Sequence, residues 1–85
     1  MNLPQWSDLG MFLQTFMLLA REAGLDTCPQ EAWAVRPKVV SDFVQAGDEL
    51  MLFCGMAIGH RDESAKVNEL QTDREDLDVW AKFLE

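Results

Sequence analysis

The sequence predicts a small, mainly helical α+β domain with about three helices and one central strand. Apolar residues recur at helical spacing in three separate stretches of the chain. A single continuous apolar run, bounded by a charged residue and by glycines, is typical of a strand that is buried on both faces. The 85 residues leave room for one domain, and the 48% of hydrophobic residues predict a core rather than disorder.

The first helix is predicted over about residues 7–24, with Ser7 or Asp8 as its cap. Most of its apolar side chains share one wide face, as in an ordinary surface helix. Met11 and Leu18 lie on the opposite, polar side and form a second apolar stripe. This stripe predicts contacts on two sides of the helix. It is covered either by a second subunit or by the C-terminal segment of the same chain.

The boundaries of the later elements follow from prolines, glycines and polar segments. Cys28 precedes a proline and is therefore predicted to be extended, and residues 30–34 are predicted to form a single turn. Thr72 and Glu75 have the spacing of a capping box ahead of the last helix. The later elements expected are a second helix over about 37–45, a strand over about 49–58, a polar arm over 60–71 and a helix over about 73–84.

The central strand predicts that this chain is completed by another. A lone strand cannot satisfy its own backbone N–H and C=O groups. The only other segment expected to be extended, around Cys28, is short. We therefore expect the strand to pair with a copy of itself or with another protein, unless it remains as an exposed edge. Dimerisation is the expected route to a complete fold.

Composition restricts the classes of partner. The formal net charge is -8, and an acidic surface repels nucleic-acid phosphates and anionic lipid heads, so neither nucleic acid nor a membrane is expected as a partner. The longest apolar-rich stretch, residues 9–20, is too short and too polar to span a bilayer. Two cysteines and one histidine give no zinc spacing. Without a signal peptide, we expect a cytoplasmic protein with reduced cysteines.

The residues show no self-contained catalytic apparatus such as a Ser/His/Asp arrangement or a glycine-rich phosphate loop. Gly55 and Gly59 are predicted to be close-packing or turn positions. Two other features favour ligand binding. The proline-containing segment 24–33 exposes backbone N–H groups that can hold a flat heterocycle. Arg74, at the start of the predicted last helix, is suited to gripping a phosphate.

A specific resemblance joins these features. The chain contains Gly-Leu-Asp-Thr-Cys-Pro-Gln-Glu-Ala-Trp at 24–33, Cys-Gly-Met-Ala-Ile-Gly at 54–59, Val-Asn at 67–68 and Asp-Arg-Glu at 73–75. In this order and spacing the chain resembles the C-terminal part of the FMN-dependent nitroreductase family, over essentially its whole length. The resemblance implies an α+β homodimer with FMN at the dimer interface. It also implies hydride transfer from NAD(P)H to nitroaromatics or quinones, with the hydride chemistry belonging to the flavin.

The resemblance also implies which residues contact the cofactor. The backbone N–H near Glu31 would face the reactive nitrogen of the flavin, and the segment around it would lie against the isoalloxazine ring. Arg74 matches a C-terminal arginine that contacts the FMN phosphate, whereas Thr72 stands where some members have a lysine. The cofactor-binding positions implied are Pro29, Gln30, Glu31, Ala32 and Arg74.

The chain departs from the family in length. Members are usually about twice as long, and their N-terminal half carries an Arg-Ser-x-Arg type motif that is absent here. At roughly 1.5–3 kcal/mol for each charged hydrogen bond, losing two or three such contacts weakens FMN binding by several orders of magnitude. We expect a natural truncation, an excised fragment, or a sequence reused as a smaller dimer.

Three interpretations of function follow. The first is an FMN-dependent NAD(P)H oxidoreductase that is weak or inactive alone. The second is a non-catalytic, self-associating helical module descended from the same family. The third is a subunit that is completed by a separately encoded N-terminal half.

Overall fold

The computed structural model describes residues 2–85. The α+β class is confirmed, with three α-helices and a two-stranded antiparallel sheet. The elements in chain order are α1 (Leu3–Glu22), β1 (Asp26–Gln30), a 3₁₀ helix (Glu31–Val35), α2 (Pro37–Val44), β2 (Gly55–Gly59), a second 3₁₀ helix (Lys66–Glu69) and α3 (Leu77–Trp80).

Helix α1 begins earlier than the predicted range of about 7–24. Asn2 caps it, because its side chain accepts a hydrogen bond from the Gln5 N–H at 3.2 Å. The Gln5 side chain in turn accepts from the Asn2 N–H at 2.8 Å and so completes a capping box. Pro4 lies in the first turn, where its missing N–H is tolerated. These local signals extend the helix to Leu3.

The end of α1 directs the chain into the sheet. Gly24 has a φ of +84°, in the left-handed region that glycine adopts without a steric penalty. The Leu25 N–H then donates to the Ala20 carbonyl at 2.9 Å, which closes the last turn. The chain reverses within three residues, and β1 starts at Asp26.

The strands form an antiparallel ribbon within this one chain. Asp26 lies opposite Gly59, and Gln30 lies opposite Gly55. The extended conformation predicted for Cys28 is confirmed, but the expectation that the central strand must pair outside the chain is wrong. The strand predicted over about 49–58 is only five residues long, so the short Cys28 segment suffices to pair it. In the described part of the chain, the outer edge of each strand has no neighbour.

The apolar residues before β2 do not belong to the strand. The Leu50 N–H donates to the Gly47 carbonyl at 3.1 Å, so the chain turns here instead of extending. Phe53 meets Trp6 of α1 edge to face, with their ring centroids 5.6 Å apart. The predicted start of the strand near 49 is therefore corrected to Gly55, because this part of the apolar run packs on the first helix.

Helix α2 nearly matches its predicted range of about 37–45. Pro37 occupies its first turn, as expected from its fixed φ. The helix ends at Val44 because Gln45 adopts a left-handed φ of 60°. Lys38 and Asp42 form an ion pair at 3.0 Å along its exposed side, one turn apart.

The last helix is much shorter than the predicted 73–84. Only Leu77–Trp80 is helical, a single turn. The capping box expected from Thr72 and Glu75 does not form, because Arg74 donates to the Thr72 hydroxyl at 2.6 Å. Isolated helices shorter than about 12 residues are marginal without packing, and the apolar side chains of this helix lie exposed. The predicted arm over 60–71 contains the second 3₁₀ helix.

The core that composition predicts does not form within residues 2–85. No described side chain is buried, and large apolar side chains are exposed along the whole chain. The accessible surface is 8026 Å², about 2,900 Å² more than a compact protein of this mass exposes. The radius of gyration is 16.8 Å, against about 12 Å for a compact chain of this length. The fold is therefore open.

Among the described helices, none combines the length and the apolar character that crossing a membrane requires.

Candidate functional site

Four of the five predicted cofactor-binding residues form one exposed corner, where β1 passes into the first 3₁₀ helix. Pro29 lies opposite Met56 in the ribbon, and Gln30 is the last residue of β1. Glu31 and Ala32 are the first two residues of the 3₁₀ helix. All four are exposed. We call residues 29–32 the flavin corner, after the role that the resemblance implies for them.

The flavin corner presents backbone donors. The first N–H groups of any helix lack an acceptor within that helix. Here these are the N–H groups of Glu31 and Ala32, and no side chain at Gln30 caps them. None of the turn and cap hydrogen bonds in residues 2–85 engages them either. Adjacent unpaired N–H groups can bind acceptor atoms at the edge of a heterocycle.

Trp33 supports this corner, although it is not among the predicted site residues. Its indole Nε1–H donates to the Gln30 side-chain oxygen at 3.1 Å. Its ring lies against Gly55 so closely that a Cβ at this glycine would lie 2.6 Å from the Trp33 Cδ1 atom. The close-packing role predicted for Gly55 is thereby confirmed. At Gly59 the space for a Cβ is open, so close packing is not its role. A glycine in a strand marks a position that another group approaches closely, and this is the signal that could have led to Trp33.

Asp26 fixes the other end of the ribbon. One carboxylate oxygen accepts from the Arg21 guanidinium at 2.8 Å, at the end of α1. The second oxygen accepts from the backbone N–H of Arg61 at 3.0 Å, just after β2. One side chain thus joins the first helix, the first strand and the segment that follows the second strand.

The segment after β2 is organised around Asp62. Its carboxylate accepts from the Ser64 hydroxyl at 2.7 Å and from the Ser64 backbone N–H at 2.9 Å. These hydrogen bonds stabilise the charged form and lower the pKa of Asp62 below its ordinary value. The Asn68 side chain donates to the Asp62 carbonyl at 2.7 Å. The predicted arm is therefore a folded loop with its own hydrogen bonds.

Arg74, the fifth predicted residue, lies in the segment between the second 3₁₀ helix and α3. Its guanidinium donates to the Thr72 hydroxyl and to the Asp73 carbonyl, at 2.6 and 3.0 Å. Within residues 2–85 it forms no ion pair and no hydrogen bond with the flavin corner. The predicted set is thus divided between two places, and Arg74 keeps a guanidinium without a carboxylate partner.

One groove of the described chain lies away from the flavin corner. It has a volume of about 550 Å³ and lies at the Asp26–Gly59 end of the ribbon, beneath the loop that contains Asn68. Residues 2–85 hold no cluster of side chains that could bind a metal ion. Cys28 and Cys54 are both free thiols.

Comparison with known proteins identifies the family. The model described as Nitroreductase family matches residues 4–60, more than half of the chain. The chain is 43% identical over 79 residues to the 4-nitrobenzoate reductase of Pseudomonas putida, covering 93% of this chain and 35% of that protein. It is 37% identical over 75 residues to the chloronitrobenzene nitroreductase of Comamonas testosteroni, covering 88% of this chain and 33% of that protein.

The fold agrees with a solved structure. The FMN and NADPH-dependent nitroreductase NfnB from Sphigopyxis sp. strain HMH superposes with a TM-score of 0.91 and 46% identity, covering 100% of this chain and 38% of that one. The chain thus spans about a third of the length of the curated relatives it matches. The family model, the sequence identities and the fold together show that the chain belongs to the nitroreductase family.

Proposed function

We propose that this chain supplies the ring-binding part of the FMN site in an NAD(P)H-dependent nitroreductase that acts on nitroaromatics. The observation that carries the proposal is the flavin corner, with two unpaired backbone N–H groups on consecutive exposed residues. The names of the relatives support the substrate class, since they include a 4-nitrobenzoate reductase and a chloronitrobenzene nitroreductase.

The residues present fit two parts of FMN. Unpaired N–H groups at Glu31 and Ala32 fit the acceptor-rich edge of an isoalloxazine ring. The guanidinium of Arg74 fits a phosphate oxygen, because it has no carboxylate partner in residues 2–85. Asp73, Glu75 and Asp76 surround it, however, and repel a second anion. We infer that the ring contributes more to binding by this chain than the phosphate does.

When bound, FMN supplies the hydride chemistry of the reaction. The N–H groups of Glu31 and Ala32 would hold the edge of the ring, and the resemblance implies that the Glu31 N–H would face its reactive nitrogen. A fixed N–H needs no reorientation when charge develops at its acceptor. The exposed corner does not exclude water, so a further surface has to cover it.

We propose that a second polypeptide provides that surface, in the first instance a copy of this chain. Each chain exposes about 2,900 Å² more surface than a compact protein of its mass. If two chains bury this surface against each other, the buried area reaches the range of large obligate interfaces. The apolar stripe on the back of α1 is uncovered, with Met11 and Leu18 at 62% and 61% exposure. The C-terminal segment does not cover it within the chain.

The same exposed stripe supports the second candidate function, a self-associating module without catalysis. A separately encoded N-terminal half is the alternative partner, and co-purification distinguishes it from self-association. Flavin binding separates the catalytic proposal from the module, because a module needs no unpaired donors at the flavin corner.

The test is a titration of FMN into the purified chain, followed by flavin fluorescence, and then an assay of NADPH oxidation with 4-nitrobenzoate. We expect weak but saturable quenching and an oxidation rate that depends on the nitro compound. Absence of quenching up to high micromolar FMN rejects the flavin role for the chain. Quenching without NADPH oxidation rejects the catalytic role and leaves the corner as a vestigial flavin site.

A further inference from the structure

We propose that Trp33 is a positioning residue, which fixes the side-chain amide of Gln30 so that its NH₂ group is presented to the flavin. The inference rests on the proposed flavin role of the corner and extends it to a residue outside the predicted set. It follows from one hydrogen bond, one close packing contact and the register of the ribbon.

The hydrogen bond determines which way the amide of Gln30 is turned. An indole Nε1–H is a donor only, so its partner at 3.1 Å must be the amide oxygen of Gln30 rather than the nitrogen. The nitrogen keeps both of its hydrogens, and no acceptor within residues 2–85 receives them. Without Trp33, the amide is free to present either its oxygen or its nitrogen.

The packing contact holds the indole in place. The register of the ribbon sets Gly55 directly opposite Gln30. The Trp33 ring occupies the space that a side chain at Gly55 would need, since a Cβ there would lie 2.6 Å from Cδ1 and 3.0 Å from Nε1. Any larger residue at position 55 therefore moves the donor away from Gln30.

The arrangement gives the corner a defined chemical preference. Gln30 Nε2, the Glu31 N–H and the Ala32 N–H are donors on three consecutive residues. The ligand class they select is a ring edge that carries acceptors, such as the carbonyl oxygens and unprotonated nitrogen of an oxidised flavin. In the reduced flavin this nitrogen is protonated and no longer accepts a hydrogen bond. The corner should therefore bind the oxidised ring more tightly than the reduced ring.

The experiment compares Trp33→Phe with Trp80→Phe in the full chain, using riboflavin as the probe so that the phosphate plays no part. Both variants lose the same indole N–H, but Trp80 lies in α3, outside the corner. We expect Trp33→Phe to weaken riboflavin binding 3- to 10-fold and Trp80→Phe to leave it unchanged. Equal binding by Trp33→Phe and the unchanged chain overturns the inference.

A second measurement needs no flavin and separates this inference from the proposed function. In ¹⁵N NMR spectra of the free chain, Trp33→Phe should shift the Gln30 side-chain NH₂ resonances, and Gln30→Met should speed hydrogen exchange at the Trp33 indole N–H. If the chain without substitutions does not bind riboflavin, the proposed flavin role is rejected but the positioning of Gln30 by Trp33 is not. Resonances and exchange that stay unchanged in both variants overturn the positioning role.

Discussion

Replacing Glu31 by proline tests the flavin corner at a single atom. Proline has no N–H, so Glu31→Pro removes one donor and leaves the neighbouring N–H of Ala32 in place. Glu31 is the first residue of the 3₁₀ helix, where proline is tolerated. Gln30, which would precede the proline, already has an extended backbone with φ -131° and ψ 103°. We therefore expect the variant to fold as the parent chain does.

The expected magnitude follows from one lost hydrogen bond. A neutral hydrogen bond contributes about 0.5–1.5 kcal/mol net, which is a factor of about 2 to 13 in a dissociation constant. Glu31→Ala is the matched control, because it removes the same carboxylate and keeps the N–H. The effect of losing the carboxylate therefore cancels in the ratio of the dissociation constants of the two variants.

The assay is riboflavin and FMN titration by fluorescence, with circular dichroism to check the fold. Glu31→Pro should bind both flavins 2- to 13-fold more weakly than Glu31→Ala. Equal dissociation constants for two well-folded variants would refute the role given to this N–H. A weakening seen with FMN but not with riboflavin would mean that the substitution affects phosphate binding, which also contradicts the role given to this N–H.

Three further predictions concern assembly and local structure. Leu18→Asp should lower the apparent mass measured by light scattering, because a charge would be desolvated in an apolar contact. Gln14→Asp on the same helix is the control and should leave the mass unchanged. An unchanged mass for Leu18→Asp would show that this stripe is not part of an interface. Ser64→Ala should raise the pKa of Asp62 toward its ordinary value in an NMR titration. The hydrogen bonds lower this pKa, so their stabilisation is full above the unfolded pKa and is lost as pH falls through the folded one. Asn2→Ala should reduce helicity and cost about 0.5–2 kcal/mol of helix stability; no change in circular dichroism contradicts the cap.

Local signals in the sequence predict the local parts of the fold. Pro37 and the apolar periodicity after it locate α2 to within one residue of its end. The cap of α1 was misplaced because Ser7 and Asp8 are equally good capping residues. The observed cap is Asn2, which unlike Ser7 and Asp8 has a glutamine three residues later that completes a capping box.

Non-local parts of the fold were not predictable in the same way. More than 20 residues separate β1 from β2 in the chain. Hydrophobic periodicity does not indicate which segments pair over such a separation. The last helix had a good apolar pattern, yet only one turn forms, because no packing surface stabilises it. Pattern alone overestimates a helix wherever no surface of the same chain packs on its apolar side.

The same distinction between local and non-local features applies to the candidate site. Its contiguous residues, from Pro29 to Ala32, were predicted from one motif and lie together, because adjacent residues need no tertiary contact to do so. Arg74 is 42 positions further along the chain from Ala32, and the described residues do not bring it to the corner. Trp33 was missed, because its role depends on the glycine across the ribbon.

The open fold and the incomplete site have one thermodynamic consequence. Trp33 and Val35, in the helix that begins at the corner, are 52% and 75% exposed. A second chain that buries them also removes water from the corner and strengthens the hydrogen bonds made there. Association then raises flavin affinity, and by linkage flavin raises the association constant by the same factor. A self-associating module without a flavin role has no such coupling. The apparent flavin affinity of the proposed oxidoreductase must therefore rise with protein concentration, whereas that of the module cannot.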